Sequence, residues 1–88
     1  MLFFWVSSGG ITGTVVDTRL ILSIALKSLS SGLITAHTHP SGNLKPSQAD
    51  IDLTYKIKEA AKYMEIRLLD HLIISTEGYY SFADEGMF

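Results

Sequence analysis

This chain is short of several things. It has no cysteine, only two prolines and a slight excess of acid over base, with a net charge of −2. Without cysteine there is no disulfide framework and no thiolate ligand, so any zinc would have to be held by histidine and carboxylate. Without a basic excess the chain lacks the charge that usually drives binding to nucleic-acid phosphates. Lys56, Lys58 and Lys62, interrupted by Glu59, read as the solvated face of a helix. The longest apolar run, MLFFWV, has six residues. That is too short to span a membrane, and it lacks the basic flank and cleavage site of a signal peptide. A soluble, cytoplasmic protein without a membrane partner is therefore expected. Acids are scarce at the front: none precedes Asp17, and no glutamate precedes Glu59.

What is present is apolar. Of 88 residues, 47% are hydrophobic and 18% charged, which excludes disorder and fits one small domain with a thin core. Residues 2–7 read as a strand. The glycines at 9, 10 and 13 break it, and TGTVV suggests a second short strand. They make no phosphate loop, because no Gly-Lys-Ser/Thr follows. Asp17 resembles an N-cap. From Thr18 to Ser30 the polar residues Arg19, Ser23, Lys27 and Ser30 form one narrow stripe, which predicts a helix closed by Gly32. LITAH predicts a buried strand, followed by a loop holding both prolines. Ser47 opens a second helix of about 17 residues, with Leu53, Ile57, Ala60, Ala61 and Met64 facing inward. IRLLDHLIIS predicts a central strand covered on both faces, with Ile66, Leu68, Leu72 and Ile74 on one and Leu69 and Ile73 on the other. TEG is a turn and YYSF a last strand, with Tyr79, Tyr80 and Phe82 as strand packing. The order β-(β)-α-β-α-β-β implies a layered α/β domain around a mixed sheet.

The densest chemistry is in AHTHPSGNLKPSQAD, residues 36–50. His37 and His39 lie two apart at a strand end, where side chains i and i+2 point the same way, about 6.5–7 Å apart. Asp50 falls three before Leu53 and seven before Ile57, on the inward stripe of the next helix. A bare carboxylate facing a core is costly without a partner, and a zinc ion on two imidazoles would be one. Two histidines and one aspartate leave a fourth position for water, the catalytic rather than the structural pattern. Each part also has a plain reading. Ser47-x-x-Asp50 is a capping box, and a single histidine near a loop is usually surface or satisfied core. The combination is what argues for a metal.

His37-x-His39, seven residues, Ser47, two residues and Asp50 matches the signature of JAMM (MPN-plus) metalloproteases. The segment HTHPSGNLKPSQADIDLT, with LLDHLIIS and YYSF after it, resembles the RadC family of JAMM-like proteins. The resemblance covers nearly the whole chain. It implies a single three-layer α/β domain, a mixed sheet flanked by helices with a cytidine-deaminase-like JAMM core, over residues 1–88. It makes His37, His39 and Asp50 the ligands of Zn2+ and Ser47 the catalytic residue that helps stabilise the oxyanion. It implies hydrolysis of an amide or isopeptide bond, with a peptide or isopeptide partner. The family also carries a DNA-repair label, although the charge balance argues against direct contact with nucleic acid. Two features depart from the family pattern. Thr38 stands where asparagine is typical, pointing away from the ligands. The family's general-base glutamate and its helix-hairpin-helix region have no counterpart, so an N-terminally truncated domain with impaired turnover is expected. The alternatives are a non-catalytic metal-binding or protein-interaction remnant and a module associated with DNA repair.

Asp70 and His71 lie inside the most apolar strand and point to opposite faces. They read either as structural, hydrogen-bonded residues or as outer support for a ligand imidazole. Glu77 and Glu85 read as turn and tail residues. If the sheet ends at LFFWV, that uncharged aromatic edge would favour pairing, so a homodimer through an exposed sheet edge is expected.

Overall fold

The computed structural model describes residues 2–7, 18–39 and 42–88. Its elements are β1 (Leu2–Ser7), α1 (Thr18–Lys27), β2 (Gly32–Thr38), α2 (Gln48–Tyr63), β3 (Arg67–Ser75) and β4 (Gly78–Ser81). The four strands form one sheet in the order β1-β2-β3-β4. β1, β2 and β3 run parallel, and β4 returns antiparallel to β3. The sheet is mixed and the class α/β, as expected. The short strand expected at TGTVV and the Asp17 cap lie outside the described residues.

Two successive parallel crossovers advance in one direction across the sheet. Right-handed connections of that kind place both helices on the same face. Ile21, Leu22 and Ala25 of α1 accordingly share one buried cluster with Ile57 and Ala61 of α2 and with Leu33, Ile66 and Leu68. Leu2 and Phe4 pack against it from β1. The described residues thus form two layers rather than three. The other sheet face, carrying Phe3, Trp5, Leu72, Ile74 and Tyr79, is half-buried to exposed. No described helix is long and apolar enough to cross a membrane.

Three local details differ from the sequence reading. α1 stops at Lys27, before Gly32. Leu29 takes the left-handed conformation (φ 54°). The Ser30 N–H then donates to Ala25 O, and the Leu29 N–H to Leu26 O. This is a Schellman ending with leucine in the usual glycine position. α2 ends the same way at Glu65 (φ 58°), which turns Met64 outward, 48% exposed, instead of inward. In β3 the register slips between Leu33 and Ile34 of the neighbouring strand, leaving Leu69 as an extra residue. A bulge of this kind reverses the alternation. Leu68 therefore shares the helical face with His71 and Ile73, while Leu72 and Ile74 turn to the other face.

Candidate metal centre

β2 delivers Leu33, Thr35 and His37 to the helical face at alternate positions, and each is fully buried. The site lies where β2 ends and α2 begins, at the carboxyl edge of the parallel strands, the usual ligand position in α/β sheets. His39 follows just beyond the strand. Its backbone N–H still donates to Ile74 O, 3.1 Å away, which ties the loop to β3. The loop then turns through Gly42 (φ 79°), whose N–H donates to His39 O. That backbone conformation favours glycine. Pro40 and Ser41 lie outside the described residues.

Asp50 comes from the first turn of α2. Ser47 is the N-cap and its oxygen accepts from Asp50 N–H at 3.1 Å. The Asp50 carboxylate accepts from Ser47 N–H at 2.7 Å, completing the capping box. The cap reading of Ser47 and Asp50 is correct, and it also fixes the carboxylate's aim. Asp50 is 1% exposed, and one oxygen each faces His37 and His39, at 3.1 and 2.9 Å from their Nε2 atoms. One ligand atom from each of the three residues falls within 4.8 Å of the others. Among the described residues, His37, His39 and Asp50 thus form a cluster that could hold a metal ion.

Hydrogen bonding shows that the cluster fits a cation. His39 Nδ1 lies 2.6 Å from the carbonyl oxygen of Asn43. A carbonyl only accepts, so Nδ1 carries the proton. In the neutral ring, Nε2 then turns a bare lone pair toward the carboxylate 2.9 Å away. That contact is favourable only with a positive charge, a proton on the ring or a metal ion between the two. His37 presents a similar case. Its Nε2 is buried and lacks a hydrogen-bond partner; the carboxylate oxygen 3.1 Å away is close but out of hydrogen-bonding line. A buried unpaired nitrogen beside an acid is costly unless something positive joins them.

The electrostatics agree. Burial lowers the His37 pKa, and the His39 ring lowers it further, against the opposing pull of Asp50. His37 thus stays neutral, as a ligand must. Burial pushes the Asp50 carboxyl up, but hydrogen bonding from the backbone and side chain of Ser47 and the two imidazoles outweigh it. The carboxyl stays below its usual range, ionised.

Behind His37 lies an arrangement that sequence reasoning only half found. His37 Nδ1 is 2.7 Å from His71 Nε2, and His71 Nδ1 is 2.5 Å from the Thr35 hydroxyl. Phe82 packs edge-on against the His71 ring, with centroids 5.3 Å apart. Thr35 was missed, although its place two residues before His37 puts it on the same strand face. Asp70 points the other way, as expected. It accepts from the Ser81 hydroxyl and from the N–H groups of His71 and Ala83, so its role is to fasten β4 and the turn after it. Glu77 and Glu85 are exposed.

Residues 3–87 match the RadC-like JAB domain family. Over 82 residues the chain is 54% identical to a UPF0758 protein of Flavobacterium johnsoniae, covering 93% of this chain and 36% of that protein. It is 50% identical to a UPF0758 protein of Porphyromonas gingivalis, again covering 36% of the relative. A UPF0758 protein of Staphylococcus epidermidis is 37% identical over 84 residues. The chain spans about a third of the length of these relatives. With the family model matched over nearly every residue and the His37–His39–Asp50 cluster in place, the chain belongs to the RadC-like JAB domain family.

Proposed function

We propose that this domain holds one zinc ion through His37, His39 and Asp50, and that it is the metal-binding part of a JAMM-type hydrolase acting on amide or isopeptide bonds. The observation that carries the reading is the placement of His39, whose Nδ1 meets the Asn43 carbonyl while its Nε2 lies 2.9 Å from the buried Asp50 carboxylate. Bound zinc would supply Lewis acidity and lower the pKa of a water toward neutrality. The chain's own residues supply the rest. The Ser47 oxygen accepts the Asp50 N–H in the cap. Its hydroxyl hydrogen, which also serves the Asp50 carboxyl, would have to turn from it to donate to an oxyanion developing beside the cluster. Asp50, held by the same cap and with its oxygens turned to the metal-facing imidazoles, serves as a ligand rather than as the general base. Among the described residues no further acid belongs to the cluster. Removing a general base typically costs about 10²–10⁴-fold in rate, so weak turnover is expected from these 88 residues by themselves. A second reading is a metal-binding module without catalysis.

Elemental analysis of zinc-reconstituted protein, paired with a peptidase assay, tests the proposal. About one zinc per chain is expected, lost in His39→Ala and weakened as pH falls below about 6, because a ligating imidazole must be neutral. Full loading of His39→Ala would refute the ligand assignment. Zinc loading without turnover, even when a glutamate-bearing segment of a relative is supplied, would favour the second reading.

A further inference from the structure

Beyond the three metal-facing residues, a buried chain of polar groups runs from the cluster into the core: His37 Nδ1, His71 Nε2, His71 Nδ1, Thr35 Oγ1. All three residues are 0% exposed. Two neutral imidazoles joined nitrogen to nitrogen share one proton, so the chain can run in only two directions. In the first, His37 Nδ1–H donates to His71 Nε2, His71 Nδ1–H donates to Thr35, and His37 Nε2 is bare. In the second, Thr35 donates to His71 Nδ1, His71 Nε2–H donates to His37 Nδ1, and the proton of His37 sits on Nε2. Each ring keeps one proton in both.

The geometry selects between them. A proton on His37 Nε2 would be a poorly satisfied buried donor, because the nearest acceptor, an Asp50 oxygen 3.1 Å away, lies out of line for a hydrogen bond. The first direction leaves no ring N–H unpaired. We infer that Thr35 and His71 are positioning residues: by accepting one proton after another they fix His37 as its Nδ1–H tautomer and present Nε2 to the metal. The inference rests on the zinc reading above. Imidazole ligands commonly donate their second nitrogen to a carboxylate, a carbonyl or water. Here that acceptor is a second imidazole, itself aligned by a threonine two groups removed from the metal.

The consequence is long-range. Thr35→Val removes the terminal acceptor and leaves the His71 Nδ1–H stranded. The less costly arrangement then reverses the chain and puts a proton on His37 Nε2, where it competes with the metal. His71→Leu removes the acceptor outright. His71→Gln and Thr35→Ser keep acceptors at the corresponding places.

Zinc affinity, measured by competition with a chromophoric chelator on protein of verified circular dichroism, is the first test. Thr35→Val and His71→Leu should each weaken binding by about 10–100-fold, with Thr35→Ser and His71→Gln close to the unsubstituted chain. The second test needs no substitution. Long-range 15N correlation spectra of the zinc-loaded protein should show both His37 and His71 protonated at Nδ1. A proton on His71 Nε2 in that state would overturn the inference, as would equal affinities for all four variants, while leaving the zinc site standing. An unsubstituted chain that binds no zinc would overturn both.

Discussion

Two histidines buried neutral make the metal-free domain sensitive to mild acid. His71 is fully buried, and burial, reinforced by the neighbouring His37 ring, lowers its pKa from 6.5 to about 3. Its folded pKa thus lies below its unfolded one. Between those values the unfolded chain holds a proton that the folded chain refuses, so stability rises with pH and is lost as pH falls from about 6.5. Each pH unit inside that window is worth about 1.4 kcal/mol per such group. Going from pH 7 to pH 5, His71 alone accounts for about 2 kcal/mol, and His37, shifted the same way, adds to it. Asp50 is shifted below its ordinary 3.8, so its contribution is lost only under more acid conditions and does not enter this interval. A domain of this size is stable by roughly 4–13 kcal/mol, so the loss is a sizeable part of the whole. Urea denaturation of chelator-treated protein at pH 7 and pH 5 measures it. The drop between the two pH values should be smaller in His71→Gln by about 2 kcal/mol, whatever that substitution costs at pH 7. Equal drops in the two proteins would show that His71 is not held neutral, and the reasoning from burial would fail.

Three further outcomes follow from separate features. Leu29 is 91% exposed in a left-handed conformation, so Leu29→Gly should stabilise the fold by about 1 kcal/mol; an unchanged or lowered thermal midpoint would contradict this. Among the described residues β1 is an edge strand, with Phe3 and Trp5 half exposed. Two copies are therefore expected to pair through β1, with Trp5→Lys shifting micromolar protein to monomer in sedimentation; an unsubstituted chain that is already monomeric would refute the pairing. With a net charge of −2, duplex DNA should bind weakly at most and be released by about 0.2 M salt; a submicromolar complex surviving that salt would count against it.

Period and punctuation made much of this fold legible. Alternation brought out β2, the inward stripe brought out α2, and Ser47 with Asp50 marked its start. The misplaced residues have specific causes. Leu29 and Glu65 end their helices in a conformation that sequence rules assign to glycine, so Gly32 drew the boundary too late and Met64 was placed inside. The extra residue at Leu69 changes which face each side chain takes, and no residue type announces such a bulge. The three cluster residues were visible because their types are rare in apolar surroundings and their spacing suits a strand followed by a helix. Thr35 was not visible, since a β-branched residue in a strand needs no explanation beyond propensity. Only its distance to His71 reveals the second use.

The same economy applies to Asp50. At the N3 position of a capping box, its commonest use in any helix is to accept the N-cap N–H, and it does so here at 2.7 Å. That use does not compete with holding a metal. A carboxylate has about four lone-pair sites, and the cap takes one of them. By taking it, the cap holds the side chain in a single position and keeps the group ionised, with the remaining capacity turned toward His37 and His39. A glutamate at this place could still close the cap, but its longer arm would carry the oxygens past the two imidazoles. An asparagine could keep the cap through its oxygen, but it would remove the charge that makes the cluster fit a cation. On the proposed zinc reading, the local rule for starting a helix and the chemical demand for a preorganised ligand select the same residue type at the same position, and β2 sets the distance at which the imidazoles meet it.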